Sequence, residues 1–379
     1  MTEVGAGDFI VTSPVIREIR RIYPDAHVTI LVYPRSLELA EYCPYVNAIV
    51  LNDQKYSSQN LIEIYELNMN IARLFLAQRF DICFATTIHS RTPLLMYMSG
   101  AKIRITSIDD ESMEQFNLTN DLTRYLMRLS THLFPYNTYG YHRVDRHLSL
   151  IENLLHLPIT NRNTEIWCKP DEVTFAKTLL RRASHPIHAF SMGSESYRKS
   201  YPPEKYVRLL EMILSEEPTA TFVILGGGQY DLNSAEIIKK ALPKVYENHI
   251  IDLTNKINYR QSATVISFCD MYIGNDTCSM HMAAAVDIPV LTPNCFAADF
   301  PIRNTDTPRR WYPYGVPSVI VQPKHAMPEC KNLDHYNPYG CAANFPHCIT
   351  QIEPETLFKA FKQLKKRVAA GIVEPLYMS

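Results

Sequence analysis

Along the first ninety residues, short unbroken apolar runs alternate with stretches in which apolar residues return every three or four positions. VTILVY (28–33) is an unbroken run of β-branched and aromatic residues, which predicts a buried strand, and NAIVL (47–51) and FDICFAT (80–86) predict further strands. Ahead of the first run, SPVIREIRRIYPDA predicts a helix: Ser13 caps it, Pro14 takes the first helical position, and Val15, Ile16, Ile19 and Ile22 form one apolar face. NLIEIYELNMNIARLFLAQ (60–78) predicts a long helix between the second and third strands. Strand–helix–strand alternation implies a parallel sheet with right-handed crossovers. Residues 106–165 are polar and aromatic with weak periodicity, and are read as helices with a linker.

A second series starts at HAFSM (188–192). YPPEKYVRLLEMILSEE predicts a helix opened by prolines, and TATFVILGGG a strand ending in glycines. SAEIIKKAL, YRQSATVISFC and SMHMAAAV predict helices; HIIDLTN, DMYIGND and IPVLTP predict strands. PETLFKAFKQLKKRVAAG is an amphipathic final helix with Gly371 at its end. The expected organisation is a domain over 1–170, a second over 171–352, and a helix with a tail over 353–379. Two such α/β lobes hold ligands at the carboxyl ends of their strands, in a cleft between them.

Composition narrows the function classes. The chain has 379 residues, 46% of them hydrophobic, enough for two cores. Lys+Arg is 38 against Asp+Glu 39, which gives −1 and leaves no positive surplus for a nucleic-acid binder. No apolar stretch approaches the ~18–20 residues of a membrane span. MTEVGAGDF has neither the basic start nor the apolar centre of a signal peptide. Nine scattered cysteines, an odd number, favour a reduced, cytoplasmic protein.

Four stretches carry candidate chemistry. GNDTCSMHMAAA (274–285) lies where a strand gives way to a helix, whose first N–H groups suit a diphosphate. Asp276 or Thr277 is placed to cap that helix, with His281 one turn further in; a plain aspartate cap with a satisfied core histidine is the competing reading. SMGSESYRKSYPPEKY (191–206) is a strand–loop–helix passage with Ser194 and Lys199, and Arg198 is the alternative cation. It lacks the GxxxxGK[ST] of a Walker loop. An ammonium there would meet the charge on a departing diphosphate. LGGGQYD (225–231) offers close backbone approach, with Asp231 as acceptor for a ribose diol or as part of a plain turn. GAGDFIVTSP (5–14) is too short for a GxGxxG fingerprint, and only four residues precede it; Asp8 on its turn is a candidate base.

Together these stretches resemble glycosyltransferase family 9, the lipopolysaccharide heptosyltransferases. GAGDFIVTSP is similar to the family's Gly-x-Gly-Asp turn and T-x-P helix start, and FDICFATTIHSRTPLLMYMSGAKIRI to its strand, polar loop and SGAKxRIG segment. SMGSESYRKSYPPEKY resembles PGxxxxxKxWPxExF, LGGGQYD resembles GGPxD, and the passage from IIDLTN to IPVL carries the family's D-T-x-x-x-H block. Cys278 stands at the family's glycine, Tyr201 at its tryptophan, and TPNC (292–295) at its aromatic-Gly-x-Thr segment.

The resemblance implies an α/β protein of GT-B fold, with two Rossmann-like parallel-sheet lobes and a cleft between them. It implies an inverting, metal-independent transferase needing no cofactor, with a nucleotide diphosphate sugar, ADP-heptose, as donor. A lipopolysaccharide-core or lipid-linked glycan would accept the sugar, with peripheral contact at the cytoplasmic face of the inner membrane. Carried over residue by residue, Asp8 is the base. Ser194 and Lys199 hold the diphosphate, and Asp231 the ribose region. Asp276, Thr277 and the backbone at Cys278 meet sugar and phosphates, with His281 beside them. Arg91 and Arg104 are acceptor-side candidates. Two alternatives stand beside this: a nucleotide-sugar epimerase of the same shape and a non-catalytic nucleotide-sugar binder.

Two features fall outside it. Cys330, Cys341, Cys348, His335 and His347 form a C-terminal group without a CxxC pair, read as free thiols in preference to a metal site. RYLMRLSTHLFPYNTYGYHRVDRHL (124–148) is rich in Arg, His and Tyr, and suits either an anionic acceptor or membrane surface or an ordinary packed linker.

Overall fold

The computed structural model describes residues 5–52, 61–86, 92–109, 128–136, 142–194, 196–300, 308–327 and 346–379. The chain divides into two compact units, Met1–Arg162 and Asn163–Ser379, so residues 163–170 and the final helix and strand go with the second.

In the first unit, helix α1 (Ala6–Ile22) leads to β1 (Thr29–Val32), α2 (Pro34–Ala40), β2 (Ala48–Leu51), α3 (Leu61–Gln78), β3 (Ile82–Ala85) and α4 (Thr92–Met98). β4 (Ile103–Asp109), β5 (His132–Tyr136) and α5 (Arg143–Leu155) follow. The expected helices-with-linker over 106–165 is corrected: it holds most of β4, all of β5 and a helix. α1 also starts earlier than predicted, at Ala6 and not at Pro14. Pro14 has no N–H to offer the Ile10 carbonyl one turn back. The Ser13 hydroxyl donates to that carbonyl at 2.6 Å, and the Thr12 hydroxyl donates to Asp8 O at 2.9 Å. The Ser–Pro pair that reads as a helix start is thus accommodated inside one.

α1 is tied down by the end of its own unit. Glu18, fully buried, accepts from Arg21 at 2.8 Å and from the Thr160 hydroxyl at 3.0 Å. Arg17 and Arg21 reach the carbonyls of Asn161 and Pro158.

Among the described residues, β1 pairs with β2 and β3–β4–β5 form a separate trio, all parallel. A cavity of about 670 Å³ is lined by Val28–Leu31 on one strand and Phe80–Phe84 on the other, with Val15, Ile16 and Phe75 beside them.

The second unit carries α6 (Pro170–Leu180), β6 (Ile187–Ser191), α7 (Pro203–Glu216), β7 (Thr221–Leu225), α8 (Gln229–Ala241), β8 (Ile250–Asp252) and α9 (Tyr259–Ile266). It continues with β9 (Met271–Gly274), α10 (Cys278–Ala285), β10 (Val290–Pro293), α11 (Pro308–Trp311), β11 (Ser318–Val321), α12 (Pro354–Ala369) and β12 (Pro375–Met378). Its seven described strands form one parallel sheet in the order β12-β11-β10-β9-β6-β7-β8. Every residue of β6, β7, β9, β10 and β11 is buried. That accounts for their unbroken apolar runs, because helices cover both faces of a parallel sheet. A buried ion pair, Arg260 Nε to Glu172 at 2.7 Å, ties α9 to α6.

The strand order sets where a ligand binds. From β6 the chain steps outward through β7 and β8, then returns to β9 on the other side of β6 and proceeds to β12. Neighbouring strands β6 and β9 therefore send their connections in opposite directions, which opens a crevice beyond their carboxyl ends. Among the described residues, no helix is long and apolar enough to cross a membrane.

Candidate functional site

The loops leaving β6 and β9 carry most of the predicted donor residues. After Ser191 the chain passes Met192, Gly193 and half-buried Ser194, whose hydroxyl accepts from the Ser196 N–H at 3.3 Å. A short 3-10 turn, Tyr197–Lys199, then aims Lys199 back at the β9 loop. Lys199 Nζ donates to Asp276 Oδ2 at 3.0 Å, with the carboxylate side chain 7% exposed. Arg198, the alternative cation, is buried and stacks over the Phe296 ring at 5.0 Å. Of the two, Lys199 is the one that meets Asp276.

Sequence reasoning passed over two asparagines that hold this arrangement. Asn275 is fully buried. Its Oδ1 accepts from the Tyr206 hydroxyl at 2.8 Å and the Tyr201 N–H at 3.3 Å, and its Nδ2 donates to the Met192 carbonyl. One side chain thus fixes the β9 loop to both ends of the β6 loop. Asn294, after β10, donates to Asp276 Oδ2 at 3.4 Å and accepts from the Phe296 N–H at 2.9 Å. The GND triplet and the TPNC departure contained the signal, but polar residues at strand ends read as turn formers until their partners are known.

Thr277 is the N-cap of α10 in extended conformation, and no side-chain hydrogen bond caps the helix. Its Oγ1 is buried beside the Tyr272 hydroxyl. Cys278 is the first helical residue. A helix start without a side-chain cap, beside a lysine, is suited to an anion. His281 lies one turn in, 7% exposed, its ring edge-on to Trp311 at 6.3 Å between centroids. Burial pushes its pKa down to about 4; Asp276 opposes the shift and Lys199 adds to it. His281 is therefore a neutral imidazole near pH 7.

Asp231 departs most from its expected setting. The GGGQYD stretch is not a turn throughout, because α8 begins at Gln229 and Asp231 sits in its first helical turn. Its side chain faces the protein's own backbone: Gly227 N–H donates to Oδ2 at 2.9 Å.

In the first unit, Asp8 occupies the first turn of α1 and is half-buried. Arg104 on β4 donates to the carbonyls of Leu129 at 2.7 Å and Ala101 at 2.5 Å, and stands over the Tyr97 ring at 5.5 Å. Its guanidinium thus joins local backbone segments. Arg91, Cys330, Cys341 and His335 lie outside the described residues. Cys348 Sγ and His347 Nδ1 are 3.7 Å apart.

Comparison with known proteins meets this geometry with a family. Residues 70–339 match the profile of glycosyltransferase family 9 (heptosyltransferase). A lipopolysaccharide heptosyltransferase 3 of Escherichia coli is 19% identical over 295 residues, covering 76% of this chain and 79% of its own. A lipooligosaccharide heptosyltransferase 2 of Campylobacter jejuni is 19% identical over 364 residues, 95% of each chain. Among solved structures, a glycosyltransferase family 9 protein from Veillonella parvula superposes with a TM-score of 0.72 at 18% identity, covering 96% of this chain and 95% of that one. The E. coli ADP-heptose LPS heptosyltransferase II gives 0.67 at 15% identity, with 97% and 98% covered. These likenesses establish the GT-B fold class.

Proposed function

The chain belongs to glycosyltransferase family 9, and from that premise we propose that it moves a heptose from ADP-heptose onto a hydroxyl of a lipopolysaccharide-core or related glycan, with inversion. The observation that carries the reading is the meeting of three strand-end loops at Asp276, with Lys199 Nζ at 3.0 Å and Asn294 at 3.4 Å. They converge where a parallel sheet binds ligands. The heptose and the adenine rest on the family and on the names of its relatives.

In this reaction the acceptor hydroxyl oxygen bonds to the anomeric carbon as the bond from that carbon to the diphosphate oxygen breaks. The hydroxyl proton passes to the Asp8 carboxylate, and the nucleoside diphosphate leaves with the electron pair. Charge growing on the leaving oxygens is met by Lys199 and the start of α10, with Ser194, the Cys278 backbone and Thr277 as further contacts to the sugar and its phosphates. Asp276 orients Lys199. Neutral His281 offers a hydrogen bond without adding charge. No cofactor enters. The acceptor is a glycan or lipid-linked glycan, and a lipid-linked one would be met by peripheral contact at the cytoplasmic face of the inner membrane.

A turnover screen against ADP-, UDP- and GDP-sugars tests this, joined to two variants. Asp8→Asn should lower kcat by about 10²–10⁴-fold and leave donor affinity unchanged, the pattern of a lost general base. Lys199→Ala should weaken donor binding by about 10–100-fold, as expected for a lost charge-assisted contact. Full turnover by Asp8→Asn would remove the base assignment, and a preference for UDP- or GDP-sugars would remove the donor.

A further inference from the structure

The Asp231 carboxylate occupies a notch that two glycines keep open. A Cβ on Gly193 would lie 2.2 Å from Oδ2 and 2.3 Å from Oδ1, and a Cβ on Gly226 would lie 2.4 Å from Cγ. Any side chain at either position would expel the carboxylate. Gly226 also has φ +152°, a backbone region that other residues rarely adopt. The residue is 5% exposed. The Gly227 N–H donates to Oδ2, the Gly193 N–H favours the charged form, and Oδ1 is buried without completing a hydrogen bond among the described residues. Gly193 follows β6 and Gly226–Gly227 follow β7, so one carboxylate joins the ends of two adjacent strands.

We propose that Asp231 is a positioning residue for donor binding: its carboxylate ties the Met192–Ser194 loop to the Gly226–Gly228 turn and so sets the backbone that receives the diphosphate. The inference rests on the reading of the 192–200 loop as the diphosphate's seat. It places Asp231 behind the site, acting through the two loops, in contrast to direct contact with a ribose.

The tie is titratable. Burial pushes the Asp231 pKa up to about 6, opposed by the N–H groups of Gly227 and Gly193. The other titratable groups facing it are phenols, Tyr230 on its own helix and Tyr272 on β9, and its charge helps push both upward. Protonation turns one oxygen into a donor and weakens its hold on the N–H groups. Stability has the opposite sign. The folded pKa lies above the ordinary 3.8, so between about pH 4 and 6 the native state binds a proton that the unfolded chain does not. This group's contribution to stability therefore rises as pH falls through that window.

The test is calorimetric titration of ADP into the full chain, wild type and Asp231→Asn, at about pH 7.5 and 5, with thermal melts alongside. The variant is uncharged and holds the two N–H groups more weakly, so at the higher pH it should bind ADP about tenfold more weakly than wild type. Its melting temperature there should be equal or higher, because a buried charge is gone. Wild type should lose about tenfold in affinity on acidification beyond any loss in the variant, whose titration reports the pH response of ADP itself. Equal ADP affinity of the two proteins at both pH values would overturn the inference, as would a variant losing stability in step with affinity. If Asp231→Asn does not fold, the wild-type affinity profile decides: ADP affinity must fall about tenfold between about pH 7.5 and 5, and an unchanged affinity would overturn the inference. Lys199→Ala separates the two layers, since unaltered ADP binding by that variant removes the reading of the loop itself.

Discussion

In Asn163–Ser379 the seven described strands make one uninterrupted parallel sheet, whereas in Met1–Arg162 the five described strands fall into a pair and a trio with a cavity of about 670 Å³ between. The strands themselves are alike in length and composition, so the difference lies in what stands beside them. A strand residue fills about 160 Å³, given a rise of about 3.3 Å, a spacing of about 4.8 Å and about 10 Å between packed layers. The cavity therefore has the room of about four strand residues, the length of β1 and of β3. Burial follows. Ile82, Cys83 and Phe84 of β3 are only half-buried, while every residue of β6 is buried.

The consequence for function is a division of rigidity. Loops that leave β6 and β9 start from strands held on both edges, and Asn275 locks them further, so the Lys199–Asp276 pair is pre-set before any ligand arrives. Asp8 rides on α1, in the unit whose described strands form a pair and a trio. Its placement depends on side-chain ties such as Glu18 to Arg21 and Thr160, and on helix packing.

The largest expected effect comes from cutting away one aromatic ring in each sheet. Phe222→Ala, fully buried on β7 of the continuous sheet with its ring 5.4 Å from His188 and 6.4 Å from Phe190, should cost about 3–5 kcal/mol. Phe84→Ala, at the cavity wall, should cost about half of that, because its side chain is half-buried where that of Phe222 is fully buried. Urea unfolding of both variants decides the matter, and equal losses would erase the contrast.

That contrast also explains what the sequence shows. Short, largely apolar segments such as HAFSM and TFVIL, ended by glycine, suit strands covered on both faces, and they fall within or over β6 and β7. SVIV and PLYM, four residues each, fall outside the runs read as strands; they form β11, between β10 and β12, and β12, at the edge of the sheet. Ser13–Pro14 misled because the same two residues that begin a helix also satisfy the Ile10 carbonyl within one. In the site, residue types and strand–helix junctions were legible. The pairing of Lys199 with Asp276, 77 positions apart, was not, and neither was the inward face of Asp231. Those depend on strand order, which no local pattern encodes.

A smaller effect, of opposite sign in the two units, comes from adding one or two carbons. Val28→Ile enlarges a residue that lines the cavity and should be neutral or gain up to about 1 kcal/mol, as cavity filling does. Ala189→Val enlarges a fully buried residue of β6 and should lose about 1–3 kcal/mol through overpacking. Melting temperatures moving in the same direction for both would mean that the cavity is not open to side chains in solution.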